Sequence, residues 1–73
     1  MDDRNRVIGR VADALVWVLG KRATFTKYEL ADAIGVGVRT AHRYLLVFET
    51  RGIIACHRHE PPWPWEWRLR DEN

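Results

Sequence analysis

Cysteine, long apolar runs and net charge are all scarce in this sequence, and each shortage excludes a class of protein. The single cysteine, Cys56, cannot form an internal disulfide, so a reducing intracellular environment is expected. The apolar run at residues 12–19 is too short to cross a bilayer and contains Asp13. The first six residues mix acids and bases, unlike a signal peptide. We therefore expect a cytoplasmic protein with no membrane partner.

Signatures of catalysis and of cofactor binding are also missing. The sequence has no acidic pair typical of acid–base catalysis, no glycine-rich phosphate loop and no nucleophile elbow. Cys56, His57 and His59 are close in sequence, but successive strand residues point to opposite faces, so Cys56 cannot share a face with both histidines. A zinc site would also need a fourth ligand, which would have to be His42. We therefore expect no enzyme activity, no metal and no cofactor.

Positive charge is concentrated in the middle of the chain, although the net charge is only +2. Residues 38–59 contain a single acid, Glu49, and four arginines, which are Arg39, Arg43, Arg51 and Arg58. A second basic cluster consists of Lys21, Arg22 and Lys27, and acids near the two ends are Asp2, Asp3, Asp71 and Glu72. A basic centre suits a surface that faces DNA, although the same arginines could be ordinary solvated surface.

A short helix is predicted at about residues 27–34. Thr26 is its N-cap, because the hydroxyl can accept a hydrogen bond from a first-turn N–H, and Glu29 can complete a capping box. Gly35 can adopt the left-handed conformation that ends a helix. A hydrophobic staple supports the same start, and its two members are Phe25 and Leu30.

A second helix is predicted at about residues 38–51, with Gly37 as a weaker N-cap. Its core-facing stripe has the spacing of an amphipathic helix and consists of Ala41, Tyr44, Leu45 and Phe48. The opposite face carries Arg39, His42, Arg43 and Leu46. The short turn between the helices, with the small Ala31 where they must cross, is typical of a helix-turn-helix. A cationic outer face suits the major groove, where arginine can make bidentate contacts with guanine.

A first helix is predicted at about residues 3–19, ended by Gly20. Its expected core stripe is Ile8, Val11, Leu15, Val18 and Leu19, with Val7 and Ala14 at one border. Val16 and Trp17 lie off this stripe, and tryptophan is enriched at interfaces, so a homodimer through this helix is one hypothesis. The alternative is that Trp17 packs under the C-terminal tryptophans of the same chain.

A two-stranded hairpin is predicted at about residues 53–70. After a proline-containing turn, aromatic and apolar residues alternate with others, which is the pattern of a half-buried strand; the alternating residues are Trp63, Trp65, Trp67 and Leu69. Trp67 and Leu69 are expected to close the core over the first helix, and Trp63 at the tip is expected to be exposed. Residues 23–25 are expected to add a short third strand.

The run YELADAIGV, followed by RTAHRYLLVFETRGII, resembles the helix-turn-helix of winged-helix transcription regulators. Shared features are a Leu-Ala pair, a glycine before the turn, Arg-Thr opening the second helix, Arg-Tyr-Leu within it and Arg-Gly-Ile at the entry to the wing. Gly37 departs from the side-chain cap usual in that family. The resemblance implies one α+β domain over residues 1–73, a winged helix-turn-helix of three helices with a C-terminal two-stranded wing.

The predicted function is binding of double-stranded DNA to regulate transcription. The side chains expected at base edges or nearby phosphates are Arg39, His42 and Arg43. Those expected at phosphates are Lys27, Tyr28 and Thr40, with Arg58 on the wing. The alternative is a winged helix that docks on protein, such as a small phage-like regulator of the transcription machinery, and its interface would be Val16, Trp17 and Trp63. The operator, and activation as opposed to repression, do not follow from the sequence.

Overall fold

Among the residues that the structure describes, three helices are followed by an antiparallel hairpin, which is the α+β layout predicted for a winged helix. The computed structural model describes residues 3–21 and 23–70. Its elements are α1 (Asp3–Leu19), α2 (Lys27–Ile34), α3 (Val38–Thr50), β1 (Ile54–His57) and β2 (Glu66–Leu69). Some expectations lie outside the described residues or side chains, and these concern Asp2, Val7, Ile8, Arg22, Asp71 and Glu72.

The start and end of α2 are those that the sequence predicts. The N–H of Glu29 donates to the Thr26 hydroxyl at 3.3 Å, and the N–H of Thr26 donates to the Glu29 carboxylate at 3.0 Å. This reciprocal pair is a complete capping box, so that prediction is confirmed. Gly35 follows the helix in the left-handed conformation, with φ of 70°. The turn into α3 therefore depends on a residue without a Cβ.

Helix α3 begins without a side-chain cap and ends with a glycine motif. Gly37 is the extended N-cap, and glycine has no side chain that could accept a hydrogen bond from the first turn. At the other end, the N–H of Ile53 donates to the carbonyl of Phe48 at 2.9 Å while Gly52 has φ of 78°. This is a Schellman-type end, which reverses the chain towards β1. The helix ends at Thr50, one residue before the predicted end.

Strands β1 and β2 pair in an antiparallel register that sets Cys56 opposite Trp67. The expected third strand is reduced to one bridge, in which Phe25 and Trp67 exchange backbone hydrogen bonds of 2.9 and 2.8 Å. Trp67 is fully buried and Leu69 packs partly buried against the core, so β2 closes the core as predicted. The bridge ties the segment before α2 to the wing.

The core lies where the three helices meet the hairpin, and its members are apolar. The buried residues are Ala14, Val18, Phe25, Leu30, Ala31, Ala41, Leu45, Phe48, Ile54 and Trp67. On α1 the predicted stripe is wrong at one position, because Leu19 is 56% exposed. Ala14, expected at the border, is fully buried, and Trp17 packs against the core. The buried face of α1 is thus rotated towards Trp17, which turns Leu19 to solvent.

Candidate nucleic-acid interface

Arg39 and Arg43 lie four residues apart on the outward side of α3, and both are exposed. Residues at this spacing share one helix face. The inward side of α3 packs through the buried Ala41, Leu45 and Phe48. Within residues 3–21 and 23–70, neither arginine forms a salt bridge. The two guanidinium groups therefore form an exposed cationic face, as the sequence predicts for this side of the helix.

His42 lies apart from these arginines, because its ring turns towards the hairpin. The ring centroid is 5.6 Å from that of Trp65 and 6.0 Å from that of Trp67. Burial lowers the pKa of His42, and the positive charge of Lys27 lowers it further. The imidazole is therefore mostly neutral near pH 7. Its Nδ1 is buried with no hydrogen-bond partner among the described residues, which leaves Nε2 as the nitrogen that could meet a ligand.

Lys27 and Tyr28, in the first turn of α2, lie on the same side of the molecule as His42. The Lys27 ammonium is 5.5 Å from the centre of the Tyr28 ring, and the Tyr28 side chain is more than half exposed. Thr40 is half-buried at the start of α3. The first turn of α2 thus offers one cation and one accessible ring beside α3.

A groove separates this pair of helices from the tip of the hairpin, and we call it the wing groove. It has a volume of about 430 Å³. Its lining combines aromatic rings, prolines, histidines and one lysine, and the residues are Lys27, Tyr28, His42, His59, Pro61, Pro62, Trp63, Pro64 and Trp65. The sequence does not predict this groove, because the residues of its two walls are far apart along the chain.

Arg58 contacts other parts of the molecule and does not project freely from the wing. Its guanidinium lies 3.5 Å from the carboxylate of Glu49 on α3 and 4.8 Å from the centre of the Trp65 ring. The side chain remains largely exposed, so the ion pair with Glu49 is weak but orienting. Arg58 therefore connects the wing to α3 and still presents donors to solvent.

A second contact holds the other side of the wing, and sequence reasoning missed it. Nε2 of His59 lies 2.6 Å from one carboxylate oxygen of Glu66, and the Thr24 hydroxyl donates to the other at 3.1 Å. Both hydrogen bonds lower the pKa of the Glu66 carboxyl, and the bond from His59 has the larger effect. The His59–Glu66 pair crosses the hairpin, so it limits the motion of the tip that follows His59.

The residues proposed for a protein interface differ in their exposure. Val16 is 71% exposed on α1, and Trp63 is 70% exposed at the tip, as expected for that residue. Trp17 is partly buried, with its ring 5.2 Å from that of Phe25 in an edge-to-face contact and the Lys21 ammonium 4.5 Å from the ring centre. Trp17 therefore packs on the core of its own chain, through Phe25.

In the described ranges, no group of three or more His, Cys, Asp or Glu side chains could hold a metal ion. None of the helices there combines the length and the apolar character needed to cross a bilayer.

Comparison with models of known protein families found no match, and comparison with curated protein sequences found none either. The likeness to winged-helix regulators therefore depends on the motif in residues 28–54 and on the α+β layout of the described residues.

Proposed function

We propose that this chain is a cytoplasmic DNA-binding transcription regulator whose α3 reads the major groove. The observation that carries the proposal is the exposed pair Arg39 and Arg43 on the outward face of α3. The helix follows a tight turn, and its opposite face is buried in the core. An α-helix fits the major groove of B-form DNA, where arginine can bond both acceptors of a guanine edge.

Phosphate contacts would come from the elements that flank α3. Lys27 stands in the first turn of α2, where the helix dipole adds to the attraction for an anion. Thr40 can add a hydroxyl donor near the start of α3, and Arg58 can add guanidinium N–H donors from the wing. Such contacts set the register of a protein on DNA, and the base edges then supply sequence preference.

The test begins by selecting a preferred duplex from a random pool and measuring its affinity by fluorescence anisotropy. Arg43→Ala should weaken binding by about 1–3 kcal/mol if Arg43 reads a base. Arg68→Ala is the matched control, since Arg68 is an exposed arginine on β2 and does not belong to α3. Equal affinities of the Arg43→Ala and parent proteins would reject the assigned role of Arg43.

Salt dependence tests the proposal as a whole. Neutralising phosphates releases counterions, so the affinity should fall steeply as salt rises. Arg43→Ala should also reduce that slope if Arg43 instead contacts a phosphate. If no duplex from the pool is retained even at low salt, the DNA-binding proposal fails.

The second candidate function is docking on a protein of the transcription machinery. Exposed Val16 and Leu19 on α1, together with Trp63 on the wing, favour it, because apolar side chains at the surface are available to a partner. A complex formed through these residues should persist at moderate salt and after nuclease treatment. A complex with DNA should be lost under either condition. This function would be favoured if a transcription-machinery protein were recovered after nuclease treatment and if its recovery depended on Val16.

A further inference from the structure

We propose that the wing groove binds one unpaired nucleobase of a nucleic-acid strand, stacked on the Trp63 ring, with the adjoining phosphate at Lys27. The proposal rests on the proposed function in one respect, because it takes the partner to be nucleic acid. It adds a ligand site separate from the arginine face of α3, and it names an unpaired strand as the ligand of that site.

Accessible aromatic rings are the first observation. Trp63 and Tyr28 line the groove from the wing and from α2, and both rings are more than half exposed. Every base offers a flat π-face, so such rings bind bases of any sequence by stacking. A paired base inside a duplex has both faces covered by its neighbours. Only an unpaired base, at a bulge, an end or a single-stranded stretch, can present a face to Trp63.

The charge of the groove is the second observation. Among the described residues, its lining contains one lysine, Lys27, and no acidic side chain, while His42 in the same lining is mostly neutral. The nearby Glu66 carboxylate already accepts hydrogen bonds from His59 and Thr24. A ligand that combines an apolar flat face with a negative charge complements this lining, and a nucleotide has both. The prolines of the lining add apolar wall without adding a charge.

Size and rigidity also agree with a nucleotide. The volume of about 430 Å³ lies in the usual range of small-molecule sites, roughly 300–1,000 Å³. The wing wall is held by the His59–Glu66 pair and by the Phe25–Trp67 bridge, while Trp65 is flanked by Arg58 and His42. A wall already held in position loses little conformational entropy when a ligand binds.

The experiment measures anisotropy of two labelled probes at low salt, a short oligothymidylate and the fully paired duplex selected from the random pool. Trp63→Ala should weaken oligothymidylate binding roughly tenfold and leave duplex binding within about twofold. Trp63→Phe keeps a ring and should retain most of the affinity. Trp63 is exposed, so both variants should melt like the parent protein. Arg43→Ala is the opposite control, expected to weaken duplex binding more than oligothymidylate binding.

The outcomes separate this inference from the proposed function. If the parent protein binds duplex but not oligothymidylate, or if Trp63→Ala binds oligothymidylate equally well, the groove proposal is overturned and the regulator proposal stands. If oligothymidylate binding depends on Trp63 and no duplex binds, the groove proposal stands and the regulator proposal fails. A proline-rich peptide that binds in a Trp63-dependent manner, where oligothymidylate does not, would also overturn the groove proposal.

Discussion

Arg10 joins α1 to the end of α2 through a single guanidinium nitrogen. That nitrogen donates to the carbonyl of Ile34 at 3.0 Å and to the carbonyl of Gly35 at 2.8 Å. Carbonyls at a helix C-terminus lack partners within the helix, and a cation there also interacts favourably with the helix dipole. One residue of α1 thus stabilises the turn from which α3 starts.

Replacement of Arg10 by methionine should lower the free energy of unfolding by about 1–2 kcal/mol, because two carbonyls lose a charged donor. Methionine preserves much of the aliphatic stem, so the loss reports mainly on the hydrogen bonds. Urea unfolding followed by circular dichroism measures it. Arg10→Lys keeps the charge without the guanidinium geometry, so its stability should lie between those of the parent protein and the methionine variant. A methionine variant as stable as the parent protein would show that water satisfies these carbonyls equally well.

His42 makes stability depend on pH in a defined direction. Its pKa in the folded chain is lowered from the ordinary value of 6.5, so the unfolded chain binds the proton more tightly. The folded state therefore has its full stability above about pH 6.5. Stability should decline as the pH falls from there to the pKa of the folded state, below which this contribution no longer changes.

His42→Gln should remove that part of the pH dependence, because glutamine does not titrate. The measurement is the denaturation midpoint across the weakly acidic range, together with the NMR titration of the imidazole. His57→Gln is the matched control, since it changes an exposed histidine and leaves His42 in position. An NMR pKa at or above 6.5 for His42 would contradict the burial that the structure assigns to it.

At the scale of elements, the contact between α2 and α3 positions the arginine face. Both helices contribute an alanine to the core, Ala31 from α2 and Ala41 from α3, and both are buried. Small side chains allow helix axes to approach closely, and close packing leaves little room for added methylenes. The angle at which α3 projects from the fold therefore depends on side-chain volume at this contact.

Ala31→Leu should destabilise the fold by about 1–3 kcal/mol through overpacking. Ala33→Leu is the matched control, because Ala33 is exposed on the same helix and accepts the same substitution without a packing cost. Thermal unfolding of the two variants side by side gives the comparison. Equal melting temperatures would mean that α2 and α3 are not packed as the structure has them.

At the scale of the whole molecule, a small core leaves apolar side chains at the surface. Val16 and Leu19 are exposed on α1, and their spacing of three residues places them on the same helix face. We predict that the chain forms a homodimer through this part of α1, because burying these side chains against a second copy removes apolar surface from water. A dimer would also place two α3 helices on symmetric half-sites.

Sedimentation equilibrium at micromolar concentrations tests the homodimer, with Val16→Asp as the disrupting variant. The parent protein should sediment as a dimer and the variant as a monomer, with unchanged circular dichroism. Asp13→Asn is a control for charge on the exposed side of the same helix. A monomeric parent protein would contradict both the predicted homodimer and the expectation of symmetric half-sites.

Local chemistry explains what the sequence determined by itself. The capping box at Thr26, the left-handed Gly35 and the alternation around Trp67 each depend on residues close together along the chain. Hydrogen-bonding rules and periodicity act over that range, so they predicted three helices, a tight turn and a closing hairpin. The exposed face of α3 with Arg39 and Arg43 followed from the same periodicity.

The tertiary structure decided the features that require residues far apart in sequence to come into contact. Arg10 reaches the end of α2, His42 turns towards Trp65, and Tyr28 lies across a groove from Trp63. The rotation that buries Ala14 and exposes Leu19 belongs here too, because the neighbours of α1 select its buried face. Periodicity predicts that a helix has a buried stripe, but packing against the other elements sets where that stripe is centred.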